Sequence, residues 1–465
     1  MYAKMKAMQE AAAAAKGGGS SSAPAPAPTG PPTLKLDVLS VKPLKEPTVI
    51  MFGSTNYSEM GKKLGAATDE MPNLVGPCRL LTGFGATKIA FIASGCTAAH
   101  IVALGVDGEA FSWGRNDCGQ LGHGDTTMRM VPTRVSALSG KKVAQASLGK
   151  AHSVFLGADG ELMACGLCKQ GAVGNGTKKV DQVTQPTALT VGAKFATIAS
   201  GTNFNLAIDR DGDVWSWGWS EHGVLGNGSD GCYNTSDSSI KLTYSAEATP
   251  KRITTLLGKN CVDVACGQHH CAAVDGEGIV YTWGNGGYGR LGHKDQADKW
   301  APTPIKEGLR AREVSCGSAH TAAIGWRRLP TGVVCSAADP KLFLWGKVKG
   351  PSQNAWMQPM IEPDLEGWHT KHFKCGASHN VAAADDSVIA WGSTCLSGEL
   401  GFGLGGKKSS ARPDKVRRRT PRRSLSTRPR PRTLPHSSLG RHRLSSRVCT
   451  FGCARAHRML ICIAR

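Results

Sequence analysis

Cys266 and His270, Cys316 and His320, and Cys375 and His379 of this 465-residue chain each place a cysteine four residues before a histidine. Thiolate and imidazole are the ligands zinc prefers, and a zinc site needs about four of them converging. Cys165-x-x-Cys168 has the spacing of a redox dithiol. Gly284-x-Gly286-x-x-Gly289 fits a dinucleotide fingerprint, and Asp209-x-Asp211-Gly212-Asp213 starts like a calcium loop. Each fails on context. The Cys/His pairs are one element repeated, and blades of a ring are expected to point such elements away from one another. The dithiol lacks a thioredoxin-like βαβ setting. Arg290-Leu291-Gly292 follows the glycine fingerprint as another turn, so no helix N-terminus awaits a pyrophosphate. A calcium loop wants glycine sixth and glutamate twelfth, whereas glycine is fourth here and Ser220 twelfth. No Ser-His-Asp or paired-carboxylate arrangement assembles, and the histidines recur too regularly to be catalytic. The chain is read as non-enzymatic, with no catalytic residue, no cofactor and no metal site.

The elements that carry these residues are hairpins. Residues 265–295 show the unit: two short apolar runs flank a turn at Asp275–Gly278, then Trp283-Gly284 and a glycine-rich loop closing on Leu291-Gly292. Alternating runs rich in Val, Ile and Tyr predict antiparallel strands, and a lone hairpin cannot bury its apolar face. The turn glycine recurs at Gly53, Gly114, Gly166, Gly218, Gly284, Gly346 and Gly392, spaced by 46 to 66 residues. Trp precedes it at 113, 217, 283, 345 and 391; Phe52 and Cys165 stand in elsewhere. A Gly-x-x-His element lies upstream, with His152 and His270 14 residues before their glycine, and Phe204 taking the same slot. A period of this size with about four short strands predicts propeller blades. The fold class is all-β, a seven-bladed propeller.

Composition bounds the rest. Glycine is abundant at 58 residues, which suggests turns rather than helices. No apolar run reaches the ~18 residues of a membrane helix, and no secretory signal opens the chain. The 16 cysteines sit in apolar repeat positions and are read as reduced, in an intracellular protein. The net charge of +21 is concentrated: residues 417–465 hold 14 arginines and no lysine or acidic residue.

In order along the chain, residues 1–47 read as a disordered Ala/Pro/Gly-rich arm, 48–416 as the propeller, and 417–447 as an Arg/Pro/Ser-rich insert. That insert is either a genuine basic loop or out-of-frame coding sequence. The first unit has Val49 to Gly53 but no Gly-x-x-His hairpin before it. Gly452 to His457 matches Gly95 to His100 in spacing, so residues 448–465 are expected to pair with 49–53 and close the ring.

The repeated Gly-x-x-His, strand, Asp-Gly turn, strand and Trp-Gly resembles the regulator of chromosome condensation family over residues 48–416. The second branch, the telophase-disc type, is the nearest likeness. The residues that carry it are Ile50 to Tyr57, Trp113 to Asn116 with Gln120 to Asp125, Gly284 to His293, and Gly398 to Gly401 followed by Lys407 to Ser410. The long spacer 227–253 is similar too. The plant ultraviolet-B receptor shares the fold, but its repeated GWRHT is absent. The resemblance implies an adaptor or regulator of a small GTPase, acting at chromosomes, centromeres and the mitotic spindle, in nucleus and cytoplasm. Exchange of guanine nucleotide would then be conformational.

Partner binding is expected on loop rims. The candidates are Arg115 and Asp117, Trp219, and Asp230, Tyr233, Lys251 and Arg252 of the spacer. Chromatin, centromere or microtubule components are further expected partners. The alternatives are weak non-specific nucleic-acid binding by the arginine tract, through phosphate attraction, and an enzyme using the central funnel.

Overall fold

The computed structural model describes residues 36–38, 48–55 and 73–416, apart from 178–179, 237–238, 307, 328–334, 349–354, 386 and 404–405. The backbones of 451–454 and 459–464 are also described. The expected arm and the 417–447 tract lie outside these residues, as do Asn56 and Tyr57.

Six four-stranded antiparallel blades make up the body of an all-β propeller, rather than the seven expected. Each is named here by its turn glycine. The Gly114 blade runs Ile89–Ala93, His100–Gly105, Ala110–Gly114 and Arg129–Arg134. The Gly166 blade follows with inner strand Val143–Leu148, the Gly218 blade with Phe195–Ser200, and the Gly284 blade with Asp263–Cys266. The Gly346 and Gly392 blades have inner strands Arg310–Cys316 and Thr370–Cys375. The strands of Gly53 belong to a sheet of different make, with five strands. There Thr48–Ser54 pairs with Asn73–Leu80 on one side and with Met459–Ala464 on the other. Leu36–Val38 and Phe451–Ala454 are its edges.

The repeat spacing has a direct cause. Each histidine at the start of a second strand lies opposite the turn glycine of the third: His100 and Gly114, His152 and Gly166, His270 and Gly284, His320 and Gly346. At Gly166 the backbone has φ of 112°, and a Cβ would stand 2.3 Å from the Ala151 carbonyl oxygen and 2.5 Å from the His152 Cα. Only glycine fits such a bulge, where the third strand shifts register against the fourth. Gly53, Gly114, Gly218, Gly284 and Gly346 share the left-handed φ, while Gly392 does not.

Packing between blades is carried by the residue before that glycine. Trp283 is fully buried among Leu206, Ile208 and Val214 of the preceding blade. Trp217 lies likewise against Val154 and Leu156, Trp345 against Val274, and Trp391 against Ile324. The Leu-Gly closures abut these rings: Gly226 faces the Trp283 indole and Gly292 the Trp345 indole. Burying an aromatic ring this way contributes about 2–3 kcal/mol. Gly401 of the last blade faces the Phe52 ring in the same manner, and Phe52 packs on Val381, Cys395 and Leu400. On its other side, Val49 and Met51 pack with Ile89 and Trp113. The Gly53 sheet thus lies between the first and last four-stranded blades.

Candidate functional site: the loop rim and the central channel

Because second strands begin and third strands end at the same end of each blade, one face of the ring carries all the loops that follow Trp-Gly. Arg115, Asp117, Trp219, Asp230 and Tyr233 stand there. Arg115 Nε reaches both Asp117 oxygens at 2.9 Å. Burial pushes the Asp117 carboxyl up, but the Arg115 and Gln120 hydrogen bonds outweigh it and hold it below its usual range. Asn116 beneath is buried; its amide donates to the Asp125 and Thr127 carbonyls at 2.9 and 3.0 Å and accepts from Leu121 N. This loop is therefore preorganised.

The 227–252 spacer is folded rather than loose. Cys232–Asn234 and Leu242–Tyr244 form a two-stranded hairpin. Its base is pinned by Ser220, whose buried hydroxyl donates to the Ser245 carbonyl at 2.8 Å, and by Ser245 N to Gly231 O. Asn234 ties the tip, accepting from Lys241 N at 2.8 Å. Tyr244 meets the Trp219 ring edge-on at 6.1 Å. Tyr233 and Leu242 project, 51% and 62% exposed. Asp230 accepts from Cys232 N at the hairpin entrance.

Lys251 and Arg252 are not part of this rim. In the outer strand Ala246 pairs with Trp219 at the loop end, whereas Arg252 pairs with Trp215. Six residues of strand put Arg252 about 20 Å away, toward the other face. Arg252 covers the Trp215 ring at 5.0 Å and lies near Asp209 and Asp213, at 3.8 and 3.7 Å. Lys251 pairs with Glu247 at 2.7 Å. The seven candidate residues thus divide into a rim set of five and a far-edge pair.

The chemical motifs resolve into scaffold. Asp209 accepts from Asp211 N, Asp213 N and the Trp215 indole, holding a hairpin turn. Gly286 N donates to Asp298, and Gly287–Gly289 is one 3₁₀ turn without a following α-helix. Cys165 and Cys168 are buried, and burial raises both thiols, Cys168 to about 11. The Cys/His pairs separate. The histidines turn into the blades, where desolvation lowers His152 and His320 to about 4 and His100 to about 3. The cysteines do not point apart as expected: Cys266, Cys316 and Cys375 line one central cavity together with Cys96. The inner strands of a ring converge on its axis. Among the described residues no group of three or more His, Cys, Asp or Glu is arranged to hold a metal.

Two networks escaped the sequence reading. In the first, four buried histidines each donate to the residue that follows the equivalent position one blade on. His100 Nε2 reaches Ser153, His152 reaches Asn205, His270 reaches Thr321 and His320 reaches Asn380, all at 2.8 Å. The signal available was a small polar residue in each of those positions. The second network lies around the channel, where Gln145, Asp263, Glu313 and His372 stand four residues before the Gly of Gly-x-x-His and Lys374 two before. Gln145 exchanges two hydrogen bonds with Ile198, and Asp263 accepts from Val314 N at 2.8 Å. Glu313 meets Lys374 at 3.1 Å and His372 at 3.7 Å. Residue type changes from blade to blade at this position, so no repeat marks it.

The comparisons agree with this architecture. The profile of the regulator of chromosome condensation (RCC1) repeat matches residues 107–156, 211–274 and 277–324, and a second profile of that repeat matches 195–224 and 261–290. Protein RCC2 homolog of Xenopus laevis is 34% identical over 392 residues, spanning 79% of this chain and 73% of the relative. Human Protein RCC2 is 33% identical over 79% of this chain and 72% of its own length. The solved structure of Prp20p from Saccharomyces cerevisiae aligns with a TM-score of 0.65 at 19% identity, covering 92% of this chain and 93% of that one, and shares the fold. With its glycine-bulged blades, interleaved tryptophans and RCC2 relatives, the chain belongs to the regulator of chromosome condensation family, in its RCC2 branch.

Proposed function

We propose that this chain is a non-enzymatic regulator that binds a small GTPase through the loop rim, with the hairpin at 232–244 as its central contact, and acts in chromosome- and spindle-linked steps of mitosis. The observation that carries it is the hairpin itself: a preorganised, locked projection with two large apolar side chains in solvent, on a rigid ring. Exposed aromatic and aliphatic anchors of this kind are what interfaces use as hot spots. Membership of the RCC2 branch supports a regulatory role, and Prp20p, of like fold, was described with its binding to Gsp1p and histones. Any nucleotide exchange would be conformational, with the rim opening the partner's pocket and no bond made by this chain. The five rim candidates Arg115, Asp117, Trp219, Asp230 and Tyr233 form the expected contact zone.

The test is binding and nucleotide release across a panel of small GTPases, with the wild type and with Tyr233→Ala plus Leu242→Ala. Loss of binding in the double variant supports the reading. Binding to nucleosomes or tubulin and to no GTPase would replace it with a scaffold. A second reading, chromatin or nucleic-acid attachment, rests on the arginines of 417–447, which lie outside the described residues. It predicts steep salt dependence that disappears when the tract is deleted.

A further inference from the structure

The inner strands of the six four-stranded blades line a partly open cavity of about 380 Å³ in the channel, at the end nearest the Gly-x-x-His turns. Its volume lies within the range of small-molecule sites, about 300–1,000 Å³. Its walls are unequal. Three consecutive blades contribute Asp263, Glu313, His372 and Lys374. Among the described residues, the facing strands contribute Ile92, Ala146, Ile198 and Ala199 with scattered hydroxyls and the Gln145 amide, and no charge.

Within the charged wall, Glu313 is satisfied by Lys374 and His372. Asp263 accepts from the Val314 and Val264 N–H groups, and it shares with Glu313 the one ammonium, Lys374, which closes on Glu313. Two carboxylates therefore share one ammonium in the wall of a cavity lined by polar and apolar groups alike, where an incompletely paired buried charge is costly. Burial pushes the Asp263 carboxyl up to about 6, against the opposing pull of Lys374 and the Val314 hydrogen bond. A carboxyl perturbed by desolvation in a cleft marks a candidate site when geometry concurs. Geometry concurs on the uncharged side. Ser200 lines the cavity, is 6% exposed, and its hydroxyl has no partner. Ser94 Oγ, also in the lining, is likewise unpartnered.

We propose that the channel cavity binds a small protonated amine that carries a hydroxyl or carbonyl group, its ammonium on Asp263 and its polar end on Ser200. The cation would add a second positive charge to two carboxylates that share Lys374, and the oxygen a partner for the Ser200 hydroxyl, which has none.

The experiment is calorimetric titration of the full chain with ethanolamine and putrescine, with glycerol and acetate as neutral and anionic controls. Saturable binding of ethanolamine is expected, with putrescine weaker and neither control binding. Asp263→Asn keeps an acceptor for Val314 N–H and is expected to weaken ethanolamine at least about ten-fold, about 1.4 kcal/mol. Ser200→Ala is expected to weaken ethanolamine about three-fold while leaving putrescine unchanged. Thermal unfolding of each variant reports whether the fold is intact. A merely structural Asp263 would change the melting temperature and leave binding alone. No binding of either amine, equal binding of glycerol, or undiminished binding by folded Asp263→Asn would overturn the proposal.

Discussion

His100 donates through Nε2 to the Ser153 hydroxyl of the next blade at 2.8 Å, and Ser153 passes the connection back to the Gln120 carbonyl at 2.7 Å. One residue thus ties its own blade, the next blade and the rim loop. The tie repeats through Asn205 to the Ala172 carbonyl and through Thr321 to the Arg290 carbonyl.

These histidines make stability pH-dependent. Desolvation holds His100, His152 and His320 at about 3 to 4, and His270 well below its usual value. In the unfolded chain they titrate near 6.5. Between about 4 and 6.5 the unfolded state therefore binds more protons, so stability falls as pH falls. Each should cost about 1 kcal/mol at one unit below 6.5. Urea midpoints from pH 7.5 to 5 should drop, and less so in His152→Gln. A flat profile would contradict the buried, neutral assignment.

Asp263 acts with the opposite sign. Its folded value of about 6 exceeds the unfolded one, so the folded state holds more protons between about 4 and 6, and its contribution weakens as pH rises through that window. Asp263→Asn should raise stability at pH 7 by about 1 kcal/mol, the channel's solvent reducing the full linkage value. Its advantage over the wild type should vanish near pH 4. Chemical denaturation at both pH values reads the difference.

The turn glycines should not tolerate a side chain. Gly166→Ala forces a Cβ into the Ala151 carbonyl at a left-handed φ and is expected to cost at least about 2 kcal/mol. Gly192, with open space where its Cβ would stand and no left-handed φ, should accept alanine with a change below about 0.5 kcal/mol. Paired melting curves decide it.

The rim and far-edge residues should separate by assay. Tyr233→Ala with Leu242→Ala removes exposed side chains and should leave the melting temperature unchanged while weakening partner binding. Arg252→Glu places a carboxylate beside Asp209 and Asp213 and uncovers Trp215. It should cost about 1 kcal/mol of stability, discounted for its exposure, and leave the on-rate of a rim partner intact.

Closure between first and last blades should depend on Phe52. Phe52→Ala empties a slot among Val381, Cys395 and Leu400, at a cost of about 3–5 kcal/mol. Removing 448–465 strips the strand that pairs with Thr48–Gly53 and should lower the unfolding midpoint as well. An unchanged midpoint after truncation would show that this pairing adds nothing.

The hairpin unit was legible from the sequence because its information is local. In three blades a histidine and its turn glycine lie opposite each other across fourteen residues of chain, and the bulge admits only glycine, so the glycine must recur wherever the blade does. The tryptophans, fixed one residue before, were legible for the same reason, and the family likeness rests on both. Relations between blades were not. Asp263, Glu313 and Lys374 share a cavity because a ring brings its inner strands to one axis, yet each blade uses a different residue there and leaves no period to read. Lys251 and Arg252 adjoin the spacer in sequence but stand toward the opposite face, since an outer strand carries the chain the height of the propeller. Pairing within a blade follows from neighbours in the chain; what meets across the ring is decided by closure, which only the tertiary structure supplies.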